Sequence, residues 1–363
     1  MSNSIGGLFT VTTFGESHGR CVGAVIDGCP AGLPLTPQDV QKEMDRRRPG
    51  TQAFSTTRAE EDKVEILSGT FNGHTTGTPI TMLVWNRDAD SSAYERMKDT
   101  PRPGHADYTA RLRYGGFNDY RGGGQFTGRI TASFVMAGAI AKKLLNTLGI
   151  EIIAHTIAIG GLKAEARSLA EIKENVPRSP LYCADAAATA RMMQLIEKVR
   201  NEGDSVGGVV EGIALNVPAG LGEPVMDTVE GELAKALFAI PAVKGVEFGA
   251  GFGVAEKKGS ENNDAYAIQN GKIVTLTNNS GGILGGITSG MPIVARVAFK
   301  PTPSISKEQK TVNSKEMSDT TLTVRGRHDA CIVPRAVVVV ECMMAIVLCD
   351  FARRAAILPE VMK

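Results

Sequence analysis

The sequence predicts a mixed α and β fold, an α+β arrangement in one domain over 1–363, with strand and helix layers on a shared core and no Rossmann unit. Three observations lead there. Short strand-like runs and helical patterns alternate along the whole chain. No Ser- or Pro-rich linker divides them. The glycine-rich loops match neither G-x-G-x-x-G nor the Walker spacing G-x-x-x-x-G-K-[ST], so neither a dinucleotide-binding fold nor a Walker-type NTPase is supported.

Taken in order, residues 8–13 and 22–27 read as strands joined by the turn GESHGR (15–20). Thr36 starts a helix. Its hydroxyl suits the cap position, Pro37 the first turn and Asp39 the positive helix end, and the helix runs through Arg46-Arg47-Arg48 until Pro49-Gly50 stops it. Residues 64–67 and 79–85 read as strands, 86–104 as irregular, 106–114 as helix and 115–125 as a loop. A long helix over 128–148 is apolar on most sides, as a buried helix is, and ends at Gly149. Residues 151–159 read as a strand, 168–201 as a more polar helical stretch broken at 177–183, 209–217 as a strand and 226–238 as a helix. Short strands follow at 245–248, 273–277 and 293–299, and Pro334 opens a last helix reaching about 355.

Forty Lys and Arg balance 39 Asp and Glu, a formal net charge of +1. Such a chain has no global basic field for nucleic acid, so anion binding must come from local arginine clusters. The N-terminus lacks a basic region followed by an apolar segment, so no secretory signal is expected. The apolar run 336–351 is interrupted by Glu341 and Asp350 and is shorter than the ~20 residues a membrane span needs, so it reads as a buried helix. The six cysteines form no CxxC pair, and Cys342 and Cys349, seven apart, share one helix face. Reduced, packing cysteines in the cytoplasm are the expectation.

Five glycine-containing loops carry the reactive groups: GESHGR (15–20), RRRPGT (46–51), RPGHAD (102–107), DYRGGGQFTGR (119–129) and GRHDAC (326–331). His18 stands near Glu16 and Arg20, and His105 near Arg102 and Asp107; each suits acid–base work near neutrality or a solvated loop. His328 beside Asp329 is either catalytic or a salt-linked turn, His74 a turn residue and His155 a satisfied core histidine. At ~100° per residue no more than two of the three consecutive arginines can face one ligand. They form either a solvated helix end or a phosphate or carboxylate clamp, and the rigid Pro49-Gly50 turn favours the clamp. Gly122-Gly123-Gly124 ahead of a helix supplies backbone N–H groups for an anion. The loop 281–286 suits the close approach of a flat ligand, or a tight turn between packed strands. Two H-x-x-C pairs, His18 with Cys21 and His328 with Cys331, leave a zinc hydrolase as a rival reading. A non-catalytic flavin- or anion-binding protein is a second rival. The residues alone lead to an enzyme of small phosphorylated acids with histidine chemistry.

At these same loops the sequence resembles the chorismate synthase family. The resemblance rests on TTFGESHG (12–19), DRRRPG (45–50), RPGHADYT (102–109), DYRGGG (119–124), GDSVGG (203–208), VPAGLGEP (217–224), AVKGVEFG (242–249), GGILGGITSG (281–290), KPTPSI (300–305) and GRHDAC (326–331). It implies the family's β-α-β sandwich, a cytoplasmic homotetramer, and a reduced-FMN-dependent 1,4-elimination of phosphate from 5-enolpyruvylshikimate 3-phosphate, with no metal. It implies that His18 protonates the departing phosphate, His105 protonates reduced flavin and Asp329 works in proton removal. Substrate arginines fall at Arg47, Arg48, Arg129 and Arg327. Flavin contacts fall at Gln125, Phe126, Thr127, Pro241, Ala242, Gly285, Lys300, Pro301, Thr302, Pro303, Ser304 and Arg327. Two departures stand out. Gln125-Phe126-Thr127-Gly128 replaces the family's common RSSA ahead of Arg129, and Ala53-Phe54 stand where many members carry an arginine linked to nicotinamide nucleotide. An external flavin reductase is therefore the expected source of FMNH2.

Overall fold

Strand Ile293–Phe299 alternates buried and half-buried side chains, whereas helix Val333–Arg354 is buried on nearly every side through Ala352. A strand with two unlike faces covers a core on one of them; a helix apolar all round lies inside. The computed structural model describes residues 3–48, 61–87, 90–324 and 329–362, the side chains of Ala93 and Arg96 excepted. It has two five-stranded antiparallel sheets. The first runs Ser4–Ile5, Thr10–Gly15, Cys21–Asp27, Ile80–Trp85, Glu65–Ile66. The second runs Val243–Phe248, Ile293–Phe299, Gly208–Leu215, Glu151–Ile159, Leu162–Lys163.

Two helices fill the space between them. Helix Thr131–Asn146 packs on the first sheet, Val333–Arg354 on the second, and the two pack on each other. A Cβ added at Gly138 would lie 2.6 Å from Cys342 Cα, so only glycine lets the backbones cross this closely. This sheet–helix–helix–sheet order is the β-α-β sandwich expected, with no Rossmann unit.

The two acids that interrupt the apolar run are the ties that place this helix. Glu341 accepts from Arg46 at 2.6 and 2.8 Å, from Lys142 at 2.8 Å and from the Ala154 N–H at 3.1 Å. Burial opposes its ionisation, but Lys142 and Arg46 outweigh burial and hold its pKa at about 2. Asp350 Oδ1 accepts the N–H groups of Gly7, Leu8 and Phe9 at 2.7–2.9 Å, which ties the chain's first strands to the last helix.

Most elements fall within a few residues of their expected places. Helix Pro37–Arg47 starts where expected, with the Thr36 N–H and hydroxyl both donating to Asp39. Three differences have a common cause. A helix, Ser92–Met97, occupies part of 86–104, and hairpins Tyr266–Gln269/Lys272–Thr275 and Gln309–Asn313/Ser318–Leu322 stand where at most one strand was expected. These elements are largely exposed, so no buried face writes a period into the sequence. His155 is the satisfied core histidine expected, 3.1 Å from Glu211. The described cysteines are all free, Cys342 and Cys349 buried among them. No helix among the described residues is long and apolar enough to cross a membrane.

Glu341→Gln should lower the unfolding free energy by ~3–5 kcal/mol at neutral pH, because it strips a buried pair of its anion. The folded pKa of about 2 lies below the ordinary 4.5, so the ionised form stabilises the fold above 4.5 and that contribution, about 3 kcal/mol, fades as pH falls toward 2. Urea midpoints of the two proteins should therefore converge on acidification; a constant gap would contradict the assignment.

Candidate active site

Both internal helices begin at one cleft of about 1370 Å³. Gly128 to Thr131 and Phe134 line it from one helix start, and Ile332, Arg335, Ala336 and Val339 from the other. Two helix N-termini aimed at one space favour an anion there. Further wall comes from the end of strand Thr10–Gly15 with 16–18, the loop ahead of helix Asp107–Arg113, the end of helix Val229–Phe238 with 239–244, and the loop after strand Ile293–Phe299.

The triple glycine organises the imidazoles. Gly122, Gly123 and Gly124 have φ of +61°, +84° and +57°, a conformation glycine adopts without the Cβ penalty. A methyl group at 122 would lie 2.7 Å from His18 Nε2 and from Ser17 Oγ, and one at 123 would lie 2.8 Å from His105 Cε1. Bare backbone thus separates two histidines that are 87 residues apart in sequence (105 minus 18). The Ser17 N–H also donates to the Gly124 carbonyl at 3.0 Å.

Each imidazole is oriented from its far side. His18 Nδ1 lies 2.9 Å from Ser91 Oγ, and its ring meets Tyr94 edge-on at 5.1 Å. His105 Nδ1 lies 2.7 Å from Asp107 Oδ1 and 3.2 Å from Arg102 Nη2. A guanidinium has no acceptor, so the shorter carboxylate contact assigns the Nδ1 proton to Asp107 and turns Nε2 toward Gly123. Arg102 grips Asp107 with two bonds of 2.8 Å and reaches Ser304 Oγ at 3.1 Å. Burial opposes ionisation of Asp107, yet Arg102 and His105 hold its carboxyl well below the usual range.

Asp329 lines the same cleft, and its Oδ2 accepts from Arg335 Nη1, whose Nε donates to the Arg47 carbonyl at 3.2 Å. Arg47 and Arg129 also line it, nearly buried, and share the carboxylate of Asp62. Lys300 bonds the Gly104 carbonyl, and burial together with nearby Lys244 lowers its pKa.

Of the residues singled out in the sequence, His18, His105, Asp329, Arg47, Arg129, Gln125, Phe126, Thr127, Pro241, Ala242, Lys300, Thr302, Pro303 and Ser304 all line this cleft. Pro301 lies within the same loop but does not line it. Two further expected residues are not among those that line the cleft. Arg48, the C-cap of helix Pro37–Arg47, stands at the edge of the described residues and does not line the cleft. Gly285 sits in the turn between Ile283–Leu284 and Ile287–Thr288, beside the Thr228 end of helix Val229–Phe238, while the cleft takes the Phe238 end. Of the three arginines, Arg46 turns inward to Glu341, so one of the three faces the cleft. Arg327, His328, Ala53 and Phe54 lie outside the described residues. Burial pushes the Cys331 thiol up to about 12, and no cluster of three His, Cys, Asp or Glu with metal-binding geometry occurs among the described residues. Sequence reasoning missed Asp62, Asn86, Ser91, Tyr94 and Arg335; none stands in a periodic or glycine-marked motif.

A family model described as chorismate synthase matches residues 9–352. The chain belongs to the chorismate synthase family. It is 59% identical over 363 residues, the whole of both chains, to a chorismate synthase of Dehalococcoides mccartyi. It is 55% identical over 343 residues to one of Korarchaeum cryptofilum, covering 94% of this chain and 95% of that one. A crystal structure of chorismate synthase superposes with a TM-score of 0.77 at 32% identity, over 97% of this chain and 93% of the other. The chain is accordingly a carbon–oxygen lyase of the shikimate pathway that eliminates phosphate from 5-enolpyruvylshikimate 3-phosphate to give chorismate, in a family that uses flavin.

Gly122→Ala should cut kcat/KM about a hundredfold, because His18 must move by an ångström or so. Gly116→Ala is the control. It is also left-handed, at φ +84°, but has open space around the added methyl, and should leave kcat/KM nearly unchanged. Equal losses in steady-state kinetics would assign the effect to strain and not to the histidine.

Proposed function

We propose that the cleft carries out this elimination with reduced FMN, and that His18, His105 and Asp329 are its catalytic residues. The observation that carries the reading is the convergence of both histidines on the triple glycine, in a cleft that also holds Asp329 and two buried arginines. The residues present fit a flavin. Thr302 Oγ1 is buried with no hydrogen-bond partner among the described residues, in the loop the family resemblance assigns to the cofactor. Phe126, Ile240, Val339 and Met343 supply apolar wall, and the volume admits a ring system and a substrate together. Gln125 to Thr127, Pro241, Ala242 and Lys300 to Ser304 would hold the cofactor. When bound it supplies electron density to the substrate ring as the C–O bond breaks, and recovers it afterwards.

The chain's own residues do the rest. Phosphate leaves with growing negative charge, so a proton from His18 and the guanidiniums of Arg47 and Arg129 stabilise the transition state more than the ground state. Ser91 and Tyr94 hold His18 for that transfer. His105, with its Nδ1 proton committed to Asp107, keeps Nε2 to hold or donate a proton on the cofactor side. Asp329, oriented by Arg335, takes part in removing the ring proton. We further read the chain as one domain, the assembly as a cytoplasmic homotetramer, and the reduced cofactor as supplied by an external reductase.

The test is anaerobic release of phosphate and chorismate, with and without reduced FMN. Turnover should require reduced FMN, and His18→Ala and His105→Ala should each lower it ~10²–10⁴-fold. Unchanged phosphate release in both variants would defeat the acid roles. With oxidised FMN and NADPH as the only reductant, the pure protein should show no turnover; sustained chorismate formation would refute the external source.

A further inference from the structure

Asp62 belongs to no motif, yet its side chain is fully shielded from solvent. Its two oxygens divide between two guanidiniums. Oδ2 accepts from Arg47 Nη1 at 3.0 Å, and Oδ1 accepts from Arg129 Nη1. Other groups fix the plane of each fork. Arg47 Nε donates to Thr131 Oγ1 at 2.9 Å and its Nη2 to the Gly128 carbonyl at 3.1 Å. Arg129 Nε donates to Asn86 Oδ1 at 2.9 Å. Two cations, 2% and 6% exposed, thus approach one point from two sides, and like charges so placed repel unless an anion lies between them. The carboxylate holds this position at a cost. Its backbone is left-handed at φ +48°, a conformation few non-glycine residues adopt. Strain kept at a buried point beside a cleft marks a conformation that its surroundings over-determine.

We propose that Asp62 is a positioning residue for recognition of the substrate phosphate. Its carboxylate bridges Arg47 and Arg129 and sets the spacing at which both forks address one dianion. Asp62 itself does not touch substrate. The idea rests on the assignment of the two arginines to the substrate made above, and the test separates the two.

Asp62→Asn keeps the shape and removes the charge. In the full-length enzyme with saturating reduced FMN, KM for the substrate should rise about tenfold, with kcat changed far less. The inhibition constant of inorganic phosphate should rise in parallel, while the Kd of reduced FMN stays within about twofold. A lowered melting temperature with KM and phosphate inhibition unchanged would leave Asp62 a structural ion-pair partner and overturn the proposal. If Asp62→Asn does not fold, Asp62→Glu combined with Arg129→Lys moves the carboxylate toward a shortened cation. Tighter phosphate inhibition than in Arg129→Lys alone supports the bridge, and none overturns it. Arg47→Lys and Arg129→Lys complete the comparison. If both leave KM and phosphate inhibition untouched, the substrate assignment of the arginines itself falls; if they raise both constants while Asp62→Asn does not, only the bridge falls.

Discussion

Everything in this molecule hangs from the crossing of two enclosed helices. Thr131–Asn146 and Val333–Arg354 approach so closely at Gly138 and Cys342 that position 138 admits no side chain. Helices without a polar face cannot rest on a surface, so each sheet covers one of them, and the four layers follow. The few ionisable groups admitted to this core are tied off completely. Glu341 is matched by Arg46 and Lys142, and Asp350 by three backbone N–H groups and Arg354. Such pairs add little net stability against an apolar alternative, but removing one partner is expensive. They therefore fix where the layers sit.

The helix pair also decides where chemistry occurs. Both helices start at the cleft, so the loops feeding them, 122–131 and the segment at Asp329, are anchored to the buried core. Loops hung on a rigid frame can place reacting groups to within a fraction of an ångström, which catalysis by positioning requires. Gly122 and Gly123 complete this by placing backbone where any side chain would displace an imidazole. Around them the polar groups work in pairs: Asp107 with Arg102 behind His105, Arg335 behind Asp329, Ser91 behind His18, Asp62 behind two arginines. In each case a group that meets the cleft has its direction fixed by another.

Much of this was legible in advance, for reasons that differ by residue. The strand Ile293–Phe299 and the helix Val333–Arg354 announce themselves by period, because burial of one face or of all faces is written directly into residue type. His18, His105 and the triple glycine stand out because glycine beside a reactive side chain marks backbone under geometric demand. Three adjacent arginines look alike in sequence while a helix points them in different directions: Arg46 bonds Glu341 in the core and Arg47 meets Thr131 beside the cleft. The turn at 285–286 serves both readings the sequence left open, since a Cβ at Gly286 would strike Thr228 while one at Gly285 would meet open space.

The sequence by itself determined the layers, the loops that carry reactive groups, and the family, since hydrophobic period and ordered local motifs are properties of neighbouring residues. Only the tertiary structure decided which of those groups meet, and which residues stand behind them. Asp62, Asn86 and Arg335 touch partners 67, 43 and 288 residues away, Arg129 for the first two and Arg47 for the third, and no local rule encodes such a contact. Contact at that range is fixed by the packing of the whole core. The positioning groups therefore become visible only when the two helices are crossed and the loops at their ends are brought together.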